Sequence, residues 1–293
     1  MNKKVLICGL GALGLTYANK LKDICELKIL ANTERVNKYK KNAPVFNNQE
    51  IKLDYLAPDE NWNPDLIIIS TKSTGLDSAL DYLKNFIQEN TIIISLINGI
   101  SSEEIISKTY PEARVLHSYF IGHSAIREND KTTQDGVGKI VFEPNNDLEN
   151  FFKENHIDYE VSDNILYSQW IKLGVNIILN EPSAIYECTV GELRKRDDYL
   201  GLAQSLLKEV KKVAQKCRIT NLENYEKEVL DSANLIADDG KTSMYQDIIA
   251  KRKTEVDIFS GEIIKLGKKY GISTPINEKM YNLIKEKEQK YLI

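Results

Sequence analysis

The chain predicts an α/β N-terminal domain on a parallel sheet, followed by an all-α C-terminal domain. Three observations carry this. Apolar β-branched runs punctuate the first half, a glycine cluster joins the first run to a helix, and helical periodicity alone fills the second half. The change of character near Asn164 sets the expected domains at 1–163 and 164–293.

The first strand, Lys3-Lys4-Val5-Leu6-Ile7-Cys8, runs into Gly9-Leu10-Gly11-Ala12-Leu13-Gly14 and restarts as Leu15-Thr16-Tyr17-Ala18. A strand that breaks at glycine and resumes as a helix is the phosphate-gripping turn of a dinucleotide-binding, Rossmann-type βαβ unit. Gly9 allows the tight turn, Gly11 lets backbone approach a pyrophosphate, and Gly14 lets helix and strand pack closely. The helix start offers unpaired N–H groups and partial positive charge to the phosphates. Gly9 to Gly14, with Leu10, Ala12 and Leu13 between the glycines, are therefore the candidate cofactor turn. The bland alternative is a glycine-tolerant turn with no ligand.

Lys3 and Lys4 before an apolar stretch imitate a secretory signal. The three glycines at fingerprint spacing and the lack of a clean small-x-small cleavage pattern argue against one. No other apolar run reaches the ~18 residues of a membrane span. A cytoplasmic protein is expected. Hydrophobic residues at 42% and charged residues at 28% are globular values without a disorder signature. A net charge of −4 argues against a nucleic-acid surface. Cys8, Cys25, Cys188 and Cys217 are far apart, with neither a C-x-x-C pair nor metal-ligand spacing. No metal and no disulfide scaffold are expected, and Cys8 reads as core.

The ribose acceptor should follow the second strand, about 20 residues after the glycines. That strand, Glu26 to Ala31, ends in Asn32 and Thr33, with Glu34, Arg35 and Lys38 behind. An NAD enzyme wants a carboxylate at the strand end, and here Glu34 comes late. Neutral donors with a cation suit a 2′-phosphate, so Asn32 and Arg35 point to NADP(H). Arg35 and Lys38 also read as the solvated face of the next helix.

Leu66–Thr71 and Thr91–Leu96 are continuous β-branched runs of the kind a doubly covered parallel sheet requires, with helical spacing from Leu76 to Gln88 between them. Lys72-Ser73 follows one run and Asn98-Gly99 the other. Ligands of open α/β sheets bind outside the carboxyl ends of strands, so Lys72 and Asn98 are site candidates by position. A loop lysine and a turn-forming Asn-Gly pair are the plain alternatives. Val115–Gly122 and Lys139–Glu143 read as shorter strands, with Asp135-Gly136-Val137-Gly138 as a turn. His117 reads as packed rather than catalytic, and neither it nor His123 or His156 shows a carboxylate partner.

In the second half, Leu166–Pro182 has helical spacing that sets Lys172, Asn176 and Asn180 at i, i+4 and i+8 on one face. Trp170, Ile171, Leu173, Val175, Ile177, Ile178 and Leu179 cover the other directions, as on a buried helix. A polar stripe on such a helix needs partners. A bound ligand would supply them, as would water or a neighbouring helix. Further on, Ser243 with Gln246 reads as a capping box whose helix start would welcome an anion. Glu255, taken alone, is a surface charge.

Together, Gly9-x-Gly11-x-x-Gly14, Lys72, Asn98-Gly99, Trp170-x-Lys172-Leu173 with Asn176 and Asn180, and Ser243-Met244 through Thr254-Glu255 resemble the ketopantoate reductase family. The resemblance runs from the first strand to Thr274-Pro275-Ile276-Asn277. It implies an NADPH-dependent 2-dehydropantoate 2-reductase, an oxidoreductase on the way to pantothenate and coenzyme A, with a helical domain beside a Rossmann-type one and a cleft between them. Carried over, Lys172 is the general acid and Glu255 a carboxylate near the substrate and cofactor. Asn176, Asn180 and Ser243 hold the substrate's polar groups. Lys72 lies at the cofactor edge, and Asn98 touches cofactor and substrate. The partner is a small 2-oxo acid, with no nucleic acid and no membrane, and the protein is a monomer or homodimer.

The chain departs from the family pattern in three places. Asn32 stands where arginine is frequent, Glu181-Pro182 follows Asn180 where proline follows directly, and Val190 precedes Gly-Glu where some members carry asparagine. An altered pocket floor leaves open a related branched 2-oxo acid as substrate. A non-catalytic NADP(H)-binding regulatory protein of the same fold also stays open.

Overall fold

The structure is a computed structural model that describes residues 3–122, 125–128, 131–134 and 136–292. The chain forms two compact units, Met1–Ile165 and Leu166–Ile293.

The first unit opens with β1 (Lys4–Cys8), α1 (Ala12–Leu21) and β2 (Glu26–Leu30), and β1 lies parallel to β2 from Lys4 opposite Glu26 to Cys8 opposite Leu30. There follow α2 (Thr33–Lys41), β3 (Val45–Phe46), β4 (Gln49–Glu50) and β5 (Tyr55–Leu56). The sheet continues through β6 (Leu66–Ile69), α3 (Leu76–Leu83), β7 (Ile92–Ser95), α4 (Ser102–Thr109) and β8 (Arg114–Leu116). The six strands run parallel in the order β5-β2-β1-β6-β7-β8. Because β2 lies on one side of β1 and β6 on the other, the winding direction reverses at β1. Ligands of such sheets bind at that reversal, outside the carboxyl ends of β1 and β6. The continuous apolar runs are explained by burial: Val5, Leu6, Ile7 and all of Leu66–Ile69 are fully buried.

The rest of the unit is β9 (Ser118–Gly122), β10 (Ala125–Glu128), β11 (Lys131–Gln134), β12 (Gly138–Phe142), α5 (Asn146–Glu154) and β13 (Tyr159–Val161). They build two small sheets, β10-β11-β3-β4 and β13-β12-β9. Phe142, Phe152 and Tyr159 cluster beneath the second, with Phe142 edge-on to Phe152 at 5.7 Å between ring centroids.

Two expectations are corrected in this unit. The helix expected to reach Gln88 stops at Leu83, where Phe86 turns in, fully buried, with its N–H on the Leu83 carbonyl at 2.8 Å. The strand expected over Val115–Gly122 is two strands in different sheets, broken at His117. The β3–β4 hairpin was not foreseen. Its turn, Asn47-Asn48, has both residues at positive φ (47° and 64°), as a two-residue hairpin requires, but two-residue strands leave no periodicity to detect. His123 and Asp135 lie outside the described residues.

The second unit is helical, with no strand among its described residues. Its elements are α6 (Ile165–Tyr186), α7 (Val190–Arg194), α8 (Tyr199–Lys216), α9 (Tyr225–Asn234), α10 (Ser243–Ile249), α11 (Ser260–Tyr270) and α12 (Pro275–Gln289). Thr189 and Glu192 form a reciprocal capping box that starts α7 and leaves Val190 fully buried. The Asp247 carboxylate pairs with Arg252 at 2.7 Å just beyond α10. No described helix is long and apolar enough to cross a membrane.

One face of α6 packs closely on α9. The Tyr225 hydroxyl donates to the Trp170 carbonyl at 2.9 Å, and a Cβ on Gly174 would stand 2.6 Å from that hydroxyl and 2.9 Å from Val229. Tyr225 and Val229 are fully buried and cannot swing aside. Gly174→Ala should therefore destabilise the protein by about 1–3 kcal/mol through overpacking. Urea unfolding measures the loss, and an unchanged midpoint would show that α6 and α9 can separate freely.

Candidate functional site

The first unit builds a tight glycine turn between β1 and α1. Gly9 has φ +103°, and a Cβ there would lie 2.8 Å from the Thr71 nitrogen. A Cβ on Gly14 would lie 2.0 Å from the Gly9 carbonyl oxygen. Ser70 clamps the turn from β6, its hydroxyl donating to the Gly9 carbonyl at 2.8 Å and its N–H to the Cys8 carbonyl at 2.9 Å. Gly11 differs from both. It is exposed, and a Cβ there would meet only the Ser70 carbonyl, at an ordinary 3.8 Å. The fold itself does not demand glycine at position 11, whereas a group laid against that backbone would.

Behind Gly11, the N–H groups of Ala12, Leu13 and Gly14 form the first turn of α1, where no carbonyl four residues back can accept them. Leu10 is buried beneath, and Ala12 and Leu13 are half-buried. The Thr71 hydroxyl, beside this turn, is buried without a hydrogen-bond partner. Donors, exposed glycine and orphaned hydroxyl together fit a dinucleotide pyrophosphate.

The strand-end candidates occupy distinct places. Asn32 is the N-cap of α2, its Oδ1 accepting the Arg35 N–H at 2.8 Å, so the amide oxygen is committed and the amide nitrogen is its donor. Arg35 is exposed on the first turn of α2. Lys72 is exposed just before the 3-10 turn Ser73–Gly75, which follows β6. Asn98 is half-buried and precedes Gly99 at φ +94° beyond β7. Cys8, deep in β1, is core, and burial pushes its thiol up to about 12. His117 has a carboxylate neighbour after all, but Glu143 accepts its backbone N–H at 2.8 Å, and its ring Nδ1 is buried without a partner.

In the second unit, α6 carries the expected stripe. Lys172 and Asn176 are half-buried, and Asn180 is buried. The Asn180 carboxamide is used within the protein. Its Oδ1 accepts the Ser243 hydroxyl at 3.0 Å and the Met244 N–H at 3.2 Å, and its Nδ2 donates to Asn176 Oδ1 at 3.1 Å. This orientation leaves Asn176 Nδ2 buried with no partner.

The cap of α10 is corrected. Thr242, not Ser243, is the N-cap, and its hydroxyl accepts the Tyr245 N–H at 3.3 Å and meets the Ser183 hydroxyl at 2.6 Å. Gln246 does not close a box, because its Nε2 donates to the Lys241 carbonyl at 2.9 Å. Two adjacent hydroxyl residues compete for the cap by sequence, and only the contact with Ser183 decides between them. Met244 and Tyr245 have given up their N–H groups, so Ser243 keeps the remaining first-turn donor. Its hydroxyl, having donated to Asn180, can only accept from a ligand.

Glu255 is half-buried between α10 and the 3-10 turn Val256–Ile258. The preceding Thr254 is pinned by Glu288 of α12, which accepts its N–H at 2.6 Å and its hydroxyl at 2.7 Å. Sequence reasoning passed over Ser70, Thr242 and Ser183. Ser70 looked like the end of a strand, and the other two carry no motif of their own.

Comparison with known proteins agrees with this architecture. The family model for ketopantoate reductase PanE/ApbA matches residues 5–147, and that for its C-terminal part matches residues 164–288. The chain is 28% identical to 2-dehydropantoate 2-reductase of Streptococcus pyogenes serotype M6, over 97% of each protein. It is 29% identical to the Aquifex aeolicus enzyme of that name, over 98% of each. A structure of D-mandelate dehydrogenase with NADH and anilino(oxo)acetate superposes with a TM-score of 0.88 at 26% identity, over 99% of this chain and all of that one. With both family models matched in chain order across nearly its whole length, the chain belongs to the ketopantoate reductase PanE/ApbA family.

Proposed function

We propose that this protein reduces 2-dehydropantoate to pantoate with NADPH, in the synthesis of pantothenate. The observation that carries the reading is the α6 stripe, where Lys172 stands one turn from an Asn176 amide nitrogen that is buried and unpartnered. Leaving such a donor unpaired costs about 1–3 kcal/mol, and an oxygen-rich substrate would satisfy it.

Bound at the Gly9–Gly14 turn, NADPH supplies the hydride. The chain's own residues do the rest. The exposed Gly11 backbone and the first-turn N–H groups of α1 hold the pyrophosphate, and Lys72 and Asn98 border the cofactor. The Lys172 ammonium polarises the keto oxygen and gives it a proton as negative charge develops there. Asn176 Nδ2 donates to a substrate oxygen. The Ser243 hydroxyl accepts from a substrate hydroxyl while its N–H donates. Asn180 holds Asn176 and Ser243 in place through both ends of its carboxamide, and Glu255 supplies the carboxylate at the substrate. For the 2′-phosphate, the Asn32 amide nitrogen and the Arg35 guanidinium are the donors.

A second reading is favoured by the likeness to D-mandelate dehydrogenase in complex with NADH and by Glu181-Pro182 after Asn180. In it, the substrate is another branched 2-oxo acid and NADH serves as well. Oxidation of NADPH and NADH over a panel of 2-oxo acids separates the two. Loss of absorbance with none of them would leave a nucleotide-binding protein without this chemistry.

Lys172→Ala should fold and bind NADPH but lose about 10²–10⁴-fold in kcat, as expected for removal of a positioned general acid. Retention of more than a tenth of the wild-type kcat would remove Lys172 from that role. Arg35→Ala should weaken NADPH binding about ten-fold or more, the worth of a charge-assisted hydrogen bond, and leave NADH binding unchanged. Equal affinity of the wild type for the two nucleotides would refute the 2′-phosphate assignment.

A further inference from the structure

Next to Asn180 on α6 stands Glu181, fully buried. Among the described residues, no cation is paired with its carboxyl group. Its Oε1 accepts the Ser260 N–H at 2.9 Å, at the first turn of α11, and its Oε2 lies 2.6 Å from the Ser260 hydroxyl. That hydroxyl also lies 3.1 Å from Asn277 Oδ1 on α12. Asn277 in turn donates from Nδ2 to Glu209 Oε2 at 2.7 Å, and its own N–H reaches the same oxygen at 3.0 Å. A further bond from the Ile276 N–H to Glu209 Oε1, at 2.9 Å, seats Glu209 of α8 on the start of α12.

Counting protons along this chain shows which state satisfies every contact. Facing the Glu209 carboxylate at 2.7 Å, Asn277 must present its amide nitrogen, so its oxygen faces Ser260. An amide oxygen can only accept, so Asn277 Oδ1 at 3.1 Å and Glu181 Oε2 at 2.6 Å both face the single Ser260 hydroxyl proton, and both contacts are satisfied when Asn277 takes it. The contact between Ser260 Oγ and Glu181 Oε2 then needs a proton from Glu181. An ionised Glu181 would leave two acceptors 2.6 Å apart, or oblige Ser260 to abandon Asn277. We propose that Glu181 is held as a neutral carboxylic acid that donates to Ser260, and that this proton positions the substrate-holding segment Asn176–Ser183 of α6 against α11 and α12.

Burial supports the same state, pushing the Glu181 carboxyl up to about 8 even if both the Ser260 hydroxyl and its N–H were to donate to the carboxylate and lower it. Ser260 faces it from α11, with Asn277 of α12 bonded to Ser260, and both are neutral. Glu209 lies behind Asn277, bonded to its amide nitrogen. The consequence for the site is direct, because Glu181 lies between the two residues that fasten α10. Asn180 holds Ser243 and Met244. Ser183 donates to the Asn180 carbonyl at 3.1 Å and meets Thr242. Pro182, between them, has no N–H to help anchor the segment. As a positioning residue, Glu181 should act on substrate affinity, and this part of the inference rests on the reading of the stripe as a substrate site.

The test compares the wild type with Glu181→Gln, whose amide can donate to Ser260 and accept from its N–H without a titrating proton, and with Glu181→Asp, which is one methylene too short. An unfolded glutamate ionises near its ordinary value of about 4.3, below the folded value. Between the two, the folded protein holds the extra proton, and stability falls as pH rises. The melting temperature of the wild type should therefore drop behind that of Glu181→Gln from about pH 5 to about pH 8, with the gap constant above. A gap independent of pH would overturn the neutral acid. Should the Gln variant not fold, an infrared carboxylic-acid band that is present in the wild type at neutral pH and lost near pH 9.5 decides the same point. With 2-oxo acid as substrate, KM of the wild type should rise several-fold above about pH 8 while that of Glu181→Gln stays flat. The kcat profile should be common to both. Glu181→Asp should raise KM about ten-fold with little change in kcat, and an unchanged KM would overturn the positioning role. If no 2-oxo acid is reduced, the proposed function fails, while the melting and infrared arms still test the proton on Glu181.

Discussion

Burying the polar groups of α6 without leaving them unpaired is the constraint on which the second unit is organised. The helix is packed on most of its surface, yet it carries Lys172, Asn176, Asn180, Glu181 and Ser183. Each of the last three reaches a helix start. Asn180 binds the start of α10, Glu181 the start of α11, and Ser183 the cap residue Thr242. Helix starts have N–H groups to give, and α6 supplies the oxygens. Pairing therefore docks the helices and orients the stripe with the same bonds.

The first unit meets a different constraint, that of close backbone approach. Gly14 sits so near the Gly9 carbonyl that any side chain would collide, and Ser70 holds that carbonyl from β6. Strand, turn and helix thereby converge at the carboxyl ends of β1 and β6, where the sheet reverses direction. Gly11 escapes this crowding. Its exposed backbone is the part of the fingerprint that the fold leaves for a ligand.

The two constraints differ in what they leave for chemistry. The glycine turn offers backbone donors, which no substitution of a side chain removes. The α6 stripe offers side chains whose orientation depends on partners outside α6. Side chains held in this second way are sensitive to distant residues, since Asn176 points its nitrogen away from Asn180 only because α10 occupies the Asn180 oxygen.

The sequence by itself determined the parallel sheet, the glycine turn and the helical second half. These rest on local regularities, namely β-branched runs, glycine spacing and the i, i+4, i+8 stripe, that need no knowledge of distant neighbours. It also brought Lys172, Asn176 and Asn180 to one helix face. The tertiary structure decided how those residues are used. Asn180 turns out to serve the protein first, because the helix start that takes its oxygen lies more than sixty residues away. The cap of α10 moved to Thr242 for the same reason, through Ser183. Glu181 read only as a departure from a pattern until Ser260, Asn277 and Glu209 were assembled around it from three other helices. Hydrogen bonds between elements distant in sequence have no periodicity, so folding alone reveals which polar groups are already paired and which remain for a substrate.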